Sequence, residues 1–186
     1  MRNYLKNRSV AALILVIASQ AAGQTRFPGV LQELGSPNGD YTLVNTDSER
    51  EPHHSLILRN NKTGAARRLL DYGRSVTVLW SPAGRRIAVT DNFASNESRI
   101  LILTADGRAP DLSLQDVVGK GLAPPELLRA LRENDHVYFE ALRWDGEGSL
   151  RFRVRGYGAS DGSEFSHRYV YSLAAGRILP AAKPLT

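Results

Sequence analysis

Short runs rich in apolar residues recur along the chain, and in some of them apolar and polar positions alternate with a two-residue period. The plainest case is Leu150-Arg151-Phe152-Arg153-Val154-Arg155, where the apolar residues share one face and three arginines share the other. Other short β-rich runs lie at Tyr41 to Asn45, Ser55 to Arg59, Arg67 to Leu70, Val76 to Trp80, Arg86 to Thr90, Arg99 to Leu103, Val137 to Trp144 and His167 to Leu173. Glycine-bearing turns punctuate them, among them Ser36-Pro37-Asn38-Gly39, Asn61-Lys62-Thr63-Gly64, Ser81-Pro82-Ala83-Gly84 and Asp145-Gly146-Glu147-Gly148. Glycine supplies a positive φ and proline presets φ near the turn value, so the pattern predicts strands of about 5 to 8 residues joined by tight turns.

The turns are spaced as a repeat. Each unit reads as strand, glycine turn, strand, long polar loop, strand, glycine turn, strand, with first and second turns at Gly39 and Gly64, Gly84 and Gly107, and Gly148 and Gly176. The third unit comes late because of an insert at about 111–134. Within the insert, Pro124-Pro125-Glu126 opens a segment with Leu127, Leu128 and Leu131 at helical spacing, which predicts one helix ending at Asn134. A helix of that length serves to cover a sheet edge or to meet a partner. The expected fold class is all-β, with three blade-like antiparallel sheet units in a partial or open arrangement and one short helical insert.

Val78-Leu79-Trp80-Ser81-Pro82-Ala83-Gly84-Arg85-Arg86-Ile87-Ala88-Val89, followed by a polar loop and Arg99 to Gly107, resembles a blade of the WD-repeat-like propellers of the TolB type. In that family a Trp-Ser-Pro-Asp-Gly turn joins two strands and a later strand ends in an Asp-Gly turn. Unit one is similar at Ser36 to Tyr41 without the Trp, and unit three keeps Arg143-Trp144-Asp145-Gly146 without Ser-Pro. The resemblance implies a binding platform. A closed propeller takes typically 4 to 8 blades, so three units imply an open or compact arrangement of three small sheets, with the insert and the chain ends covering exposed edges. The alternatives are two chains pairing to complete a ring, or a two-layer sandwich.

The N-terminus changes the picture of charge and destination. Arg2, Lys6 and Arg8 precede an apolar run from Val10 to Ala18, followed by Ala21-Ala22-Gly23. At about 1.5 Å per residue the run is about 14 Å long as a helix, against about 30 Å of hydrocarbon. It reads as an export signal over 1–23, cleaved after Gly23 or Ala21, ahead of a single domain over 24–186. The expected location is periplasmic or extracellular, with no stable membrane insertion after cleavage. The full chain carries 24 Lys+Arg against 19 Asp+Glu. Without the three basic residues of the signal the net charge falls to +2, which gives little reason to expect nucleic acid as a partner. No Cys is present, so neither disulfides nor a thiolate metal site is available.

Candidate chemistry is sparse, and no cofactor is expected. Gly158-Ala159-Ser160-Asp161-Gly162 matches Gly-x-Ser-x-Gly and His167 follows, but a nucleophile elbow needs a helix after the serine, and here a strand is predicted. His53 and His54 are adjacent and point to opposite faces of a strand. The oxygen-rich loop from Asp91 to Glu97 lacks the spacing of a known calcium loop. Better candidates are the polar loops in equivalent places of the units, since binding residues concentrate on such loops. These are Asn45 to Pro52, Asp91 to Glu97 and Tyr157 to Ser166. The candidate surface comprises Asp91, Asn92, Phe93, Asn96, Glu97, Tyr157 and Asp161, with an arginine stripe at Arg151, Arg153 and Arg155 flanked by Arg143 and Arg168. The stripe either holds anionic groups through guanidinium forks or is a solvated face paired to Glu140, Glu147 or Glu164.

These features predict an exported, non-catalytic binding or interaction module whose partner is a protein or an envelope glycan. The alternatives are a hydrolase using carboxylates such as Asp91, Glu140 and Asp161, and a structural subunit that self-associates, as in a homodimer.

Overall fold

The computed structural model describes residues 23–50, 53–107, 111–158 and 164–181. The expected signal segment at 1–22 lies outside them. Three antiparallel sheets follow one another along the chain, each a meander in which consecutive strands pair. The first holds β2 (Glu33–Gly35), β3 (Tyr41–Asp47), β4 (His54–Asn60) and β5 (Ala66–Tyr72). The second holds β6 (Val76–Trp80), β7 (Arg86–Asp91), β8 (Arg99–Thr104) and β9 (Leu112–Ser113), and gains β1 (Thr25–Phe27) on the free side of β6. The third holds β10 (His136–Asp145), β11 (Ser149–Tyr157), β12 (Glu164–Ser172) and β13 (Arg177–Pro180). The all-β plan of three sheet units is therefore present.

The turns show why the units look alike. Ser36 and Ser81 make the same bonds around their Pro-x-Gly turns. The Ser36 N–H donates to Tyr41 O at 2.8 Å and its hydroxyl accepts from the Tyr41 N–H at 3.0 Å. The Ser81 N–H donates to Arg86 O at 2.9 Å and its hydroxyl accepts from the Arg86 N–H at 3.0 Å. Gly84 closes the second turn at φ +66°, and a Cβ there would meet Asn38 Oδ1 of the first turn at 2.7 Å. The two turns are in contact, and only glycine fits. In the third unit Gly146, with φ +62°, takes this left-handed place rather than Gly148, because the first strand runs on to Asp145.

The second sheet lies between the other two, which explains its hydrophobic density. Val76, Val78, Trp80, Ile87, Val89 and Leu103 pack against Leu34, Leu43, Leu56, Leu58 and Tyr72 of the first sheet. From the opposite face Leu79, Ala88, Ile100 and Ile102 pack against Phe139, Ala141, Trp144, Leu150, Phe152 and Val154 of the third. A sheet buried on both faces needs apolar residues at successive positions, as in Arg86–Asp91. A sheet with one wet face alternates, as in Ser149–Tyr157. Trp80 and Trp144 occupy corresponding places, near the end of their unit's first strand and facing the preceding sheet. The Trp144 indole N–H donates to Leu79 O at 3.1 Å. The first unit has exposed Gly35 just before its Ser-Pro turn, where no described sheet precedes it.

The insert contains two helices where one was expected: α1 (Leu114–Gly119) and α2 (Pro125–Glu133). The first has only six residues, and its Leu112, Leu114 spacing is that of a strand, so periodicity does not separate the two. Leu114, Val117 and Leu127 enter the core between the second and third sheets. Leu122 O, between the helices, accepts from the Ile178 N–H of β13 at 2.8 Å. The insert thus caps the outer edge of the third sheet and joins it to β8 and β9 of the second.

Candidate functional site

The long loop of the second unit begins at an ion pair whose carboxylate is buried. Asp91 ends β7 and lies opposite Arg99, which starts β8. Both Nε and Nη2 of Arg99 reach Asp91 Oδ2, at 3.0 and 2.9 Å. The Asp91 side chain is only 2% exposed, and its Oδ1 has no hydrogen-bond partner. The expectation that Asp91 belongs to an open loop surface is corrected: β7 extends one residue beyond the expected run of Arg86 to Thr90, and the carboxylate pairs across the ladder instead of facing water. Burial pushes the Asp91 carboxyl above its ordinary value, while the bond to Arg99 pulls it the other way.

The rest of the loop is tied into the fold by several of its residues. The Asn92 N–H donates to Ser75 O at 3.0 Å, with the Asn92 amide group beside the Ser75 hydroxyl at 3.3 Å. Phe93 is 45% exposed and lies under the Arg99 guanidinium, 5.2 Å from its ring centroid. Asn96 and Ser98 bond to Val137 on β10, Glu97 forms a parallel bridge with the same residue, and the Tyr138 hydroxyl donates to Ser95 O at 2.9 Å. The Ser98 hydroxyl donates to Phe139 O at 2.7 Å. The loop therefore joins the second unit to the third as well as presenting side chains.

Between this loop and the insert lies an open cleft of about 430 Å³, in the range of small-ligand sites. One wall is Phe93 and Glu97 to Arg99, and the opposite wall is Gln115, Asp116 and Val118 of α1. The end of α2 contributes Leu131, with Asn134 and Asp135 after it, and β10 supplies an apolar floor of Val137 and Phe139. Gln115 holds the α1 wall in place: its Nε2 donates to Ser98 O at 3.2 Å. The Asn134 amide donates to Ala130 O at 2.7 Å at the end of α2. Glu97, Asp116 and Asp135 line the cleft together with Arg99, which is paired to Asp91, so acids outnumber bases in its lining.

The sequence candidates divide between two surfaces. Phe93 and Glu97 line the cleft, with Asp91, Asn92 and Asn96 supporting it from behind. Tyr157, Arg151, Arg153 and Arg155 lie instead on the solvent face of the third sheet. There Tyr157 stacks on His136 with centroids 4.2 Å apart, and Arg155 lies 4.8 Å over the Tyr138 ring. Arg153 is bound to Glu140, with Nε to Oε2 at 3.1 Å, and Arg151 to Asp145. Asp161 and Ser160 lie outside the described residues. Asp91 and Glu140 are not brought together: the first faces inward from the second sheet and the second faces solvent from the third.

In the first unit the polar loop starts later than expected, because β3 runs to Asp47. Asn45 is buried, accepts from the Tyr72 hydroxyl and donates to Asp47 Oδ1 at 2.8 Å. Burial, with smaller contributions from the Asp47 and Asp91 charges, pushes the Tyr72 hydroxyl up. Among the described residues no group of three His, Asp or Glu side chains is placed to hold a metal ion. Arg99, Gln115, Asp116, Asn134 and Asp135 were missed as site residues, since each joins the cleft only when the insert folds against the loop. No known family model matches the chain, and no curated protein matches it.

Proposed function

We propose that this protein is an exported, non-catalytic binding module built from three blade-like repeats, and that its cleft grips a segment of a partner protein. The carrying observation is the open cleft in which Phe93 stands at the mouth, Val137 and Phe139 form the floor, and Glu97, Asp116 and Asp135 ring it. An exposed aromatic over an apolar floor anchors an aliphatic or aromatic side chain, and an acidic rim favours a neighbouring Lys or Arg. The chemistry that fits is an extended peptide with a basic residue beside a bulky apolar one. The Asp91–Arg99 pair serves this site by holding the Phe93 ring.

A peptide array probed with the purified protein tests the reading. Peptides with adjacent basic and bulky apolar residues are expected to be enriched, with binding falling about tenfold or more, which is about 1.4 kcal/mol or more, in the double substitution Phe93→Ala, Glu97→Gln. Random capture, or enrichment that survives the double substitution, rejects the cleft as the peptide site. Export is tested separately: the protein recovered outside the cytosol should begin at Gln24 or Ala22.

A further inference from the structure

The solvent face of the third sheet is a separate surface with its own chemistry. The strand register places Arg155 beside Tyr138, Arg153 between Glu140 and Arg168, Arg151 beside Arg143, and Arg177 at the end of the row that holds Asp145. These six arginines share the face with three carboxylates, Glu140, Asp145 and Glu164. The acids do not neutralise it. Asp145 serves both Arg143, at 3.2 Å, and Arg151. Arg168 and Arg177 have no acidic partner among the described residues and are exposed.

We infer that this face docks a linear anionic polysaccharide, independently of the cleft. Three features point to a chain. Arg151, Arg153 and Arg155 recur every second residue of β11, at about 6.8 Å intervals, and so make a row along one strand. The carboxylates of Glu140 and Asp145 fix the guanidinium planes of Arg153 and Arg151, and each guanidinium retains N–H donors for an anion. At the loop end the row meets Tyr157, 38% exposed and braced from behind by the His136 ring, an apolar plane with a polar tip suited to stacking on a sugar ring. The ligand class is a polymer with a carboxylate or sulfate on successive sugars.

Polygalacturonate is the probe, titrated into the purified protein at 50 and 200 mM salt, with single-stranded DNA and anionic phospholipid vesicles as parallel arms. Affinity for polygalacturonate should fall about tenfold or more between the two salts if three or so arginines displace counterions. Arg168→Ser with Arg177→Ser, both outside the core, should weaken binding about fivefold or more, whereas Glu140→Gln, which raises the charge of the face, should tighten it at the lower salt. Phe93→Ala should leave it unchanged, which separates this surface from the cleft. No binding at 50 mM salt overturns the inference, as does equal or tighter binding of DNA or vesicles. Binding that is indifferent to both the arginine and Glu140 substitutions also overturns it.

Discussion

Glu147 reaches back from the first turn of the third unit and closes the corresponding turn of the second: its Oε2 accepts from the Ser81 hydroxyl at 2.9 Å and its Oε1 from the Ala83 N–H. The Arg86 guanidinium completes the joint, donating to Glu147 O at 3.0 Å. A matching contact lies one unit earlier, where Asn38 of the first turn sits against Gly84 of the second. Neighbouring units are therefore stitched at their turns as well as packed through their faces.

Removing the Glu147 carboxylate should be costly for a residue at a turn. A hydrogen bond to a charged group contributes about 1.5–3 kcal/mol, and the 30% exposure of this side chain places Glu147→Ala at the lower end. Urea unfolding should show a lower midpoint with an unchanged m-value. Wild-type stability in the variant would mean that the joint is only a surface contact.

Much of the architecture was legible because local chemistry repeats it. Ser36 and Ser81 form the same turn from the same Ser-Pro-x-Gly letters, and the alternation of Leu150 to Arg155 marks a strand with one buried and one wet face. The helix α2 announced itself through Pro125 and the leucine spacing. What escaped was tertiary. Asp91 follows a buried run and reads as the first residue of a loop; its partner Arg99 comes eight residues later, across a ladder that only the pairing of β7 with β8 creates. The cleft likewise needs α1, the residues after α2, and β10 to meet one loop. The two loop residues that line it, Phe93 and Glu97, were found because they are an aromatic and an acid in a polar stretch, while Gln115 and Asp135 carried no comparable signal.

Burial of Asp91 sets a pH dependence whose sign follows from linkage. Its carboxyl titrates above the ordinary value of 3.8 in the folded chain, so the folded state holds that proton more tightly than the unfolded state does. The contribution to stability is fully present below about 3.8 and is lost as pH rises through the folded value. The exposed carboxylates Asp47 and Asp71 are shifted downward, chiefly by their hydrogen bonds to His54 and Ser55, and act in the opposite sense. Asp91→Asn isolates the first effect: the stability of wild type minus variant should decline from pH 3.5 to pH 7. A difference that grows with pH would show that the Arg99 pair outweighs desolvation.

The two tryptophans differ in one atom's fate. Trp144 Nε1 donates to Leu79 O across the interface of the second and third sheets, whereas Trp80 Nε1 is buried with no partner. Phenylalanine at either place loses packing volume, but at Trp144 it also removes a hydrogen bond that joins two sheets. Trp144→Phe should therefore destabilise by about 1 kcal/mol more than Trp80→Phe, measured by urea unfolding of the two variants. Equal losses would mean that the bond from Trp144 Nε1 to Leu79 O adds nothing to stability.

The insert should matter most for the sheet it caps. Leu127 is fully buried among residues of the second and third sheets, so Leu127→Ala should cost about 2–5 kcal/mol through lost burial and the cavity left behind. Loosening α2 also loosens the segment before it, where Leu122 O holds the Ile178 N–H of β13. Amide exchange should then rise at Ile178 and along β13 before it rises in β3 and β4 of the first sheet, since the insert's buried residues pack with the second and third sheets. Uniform acceleration across all three sheets would instead mean that the units unfold as one cooperative block, and that the insert stabilises the whole stack through the central sheet.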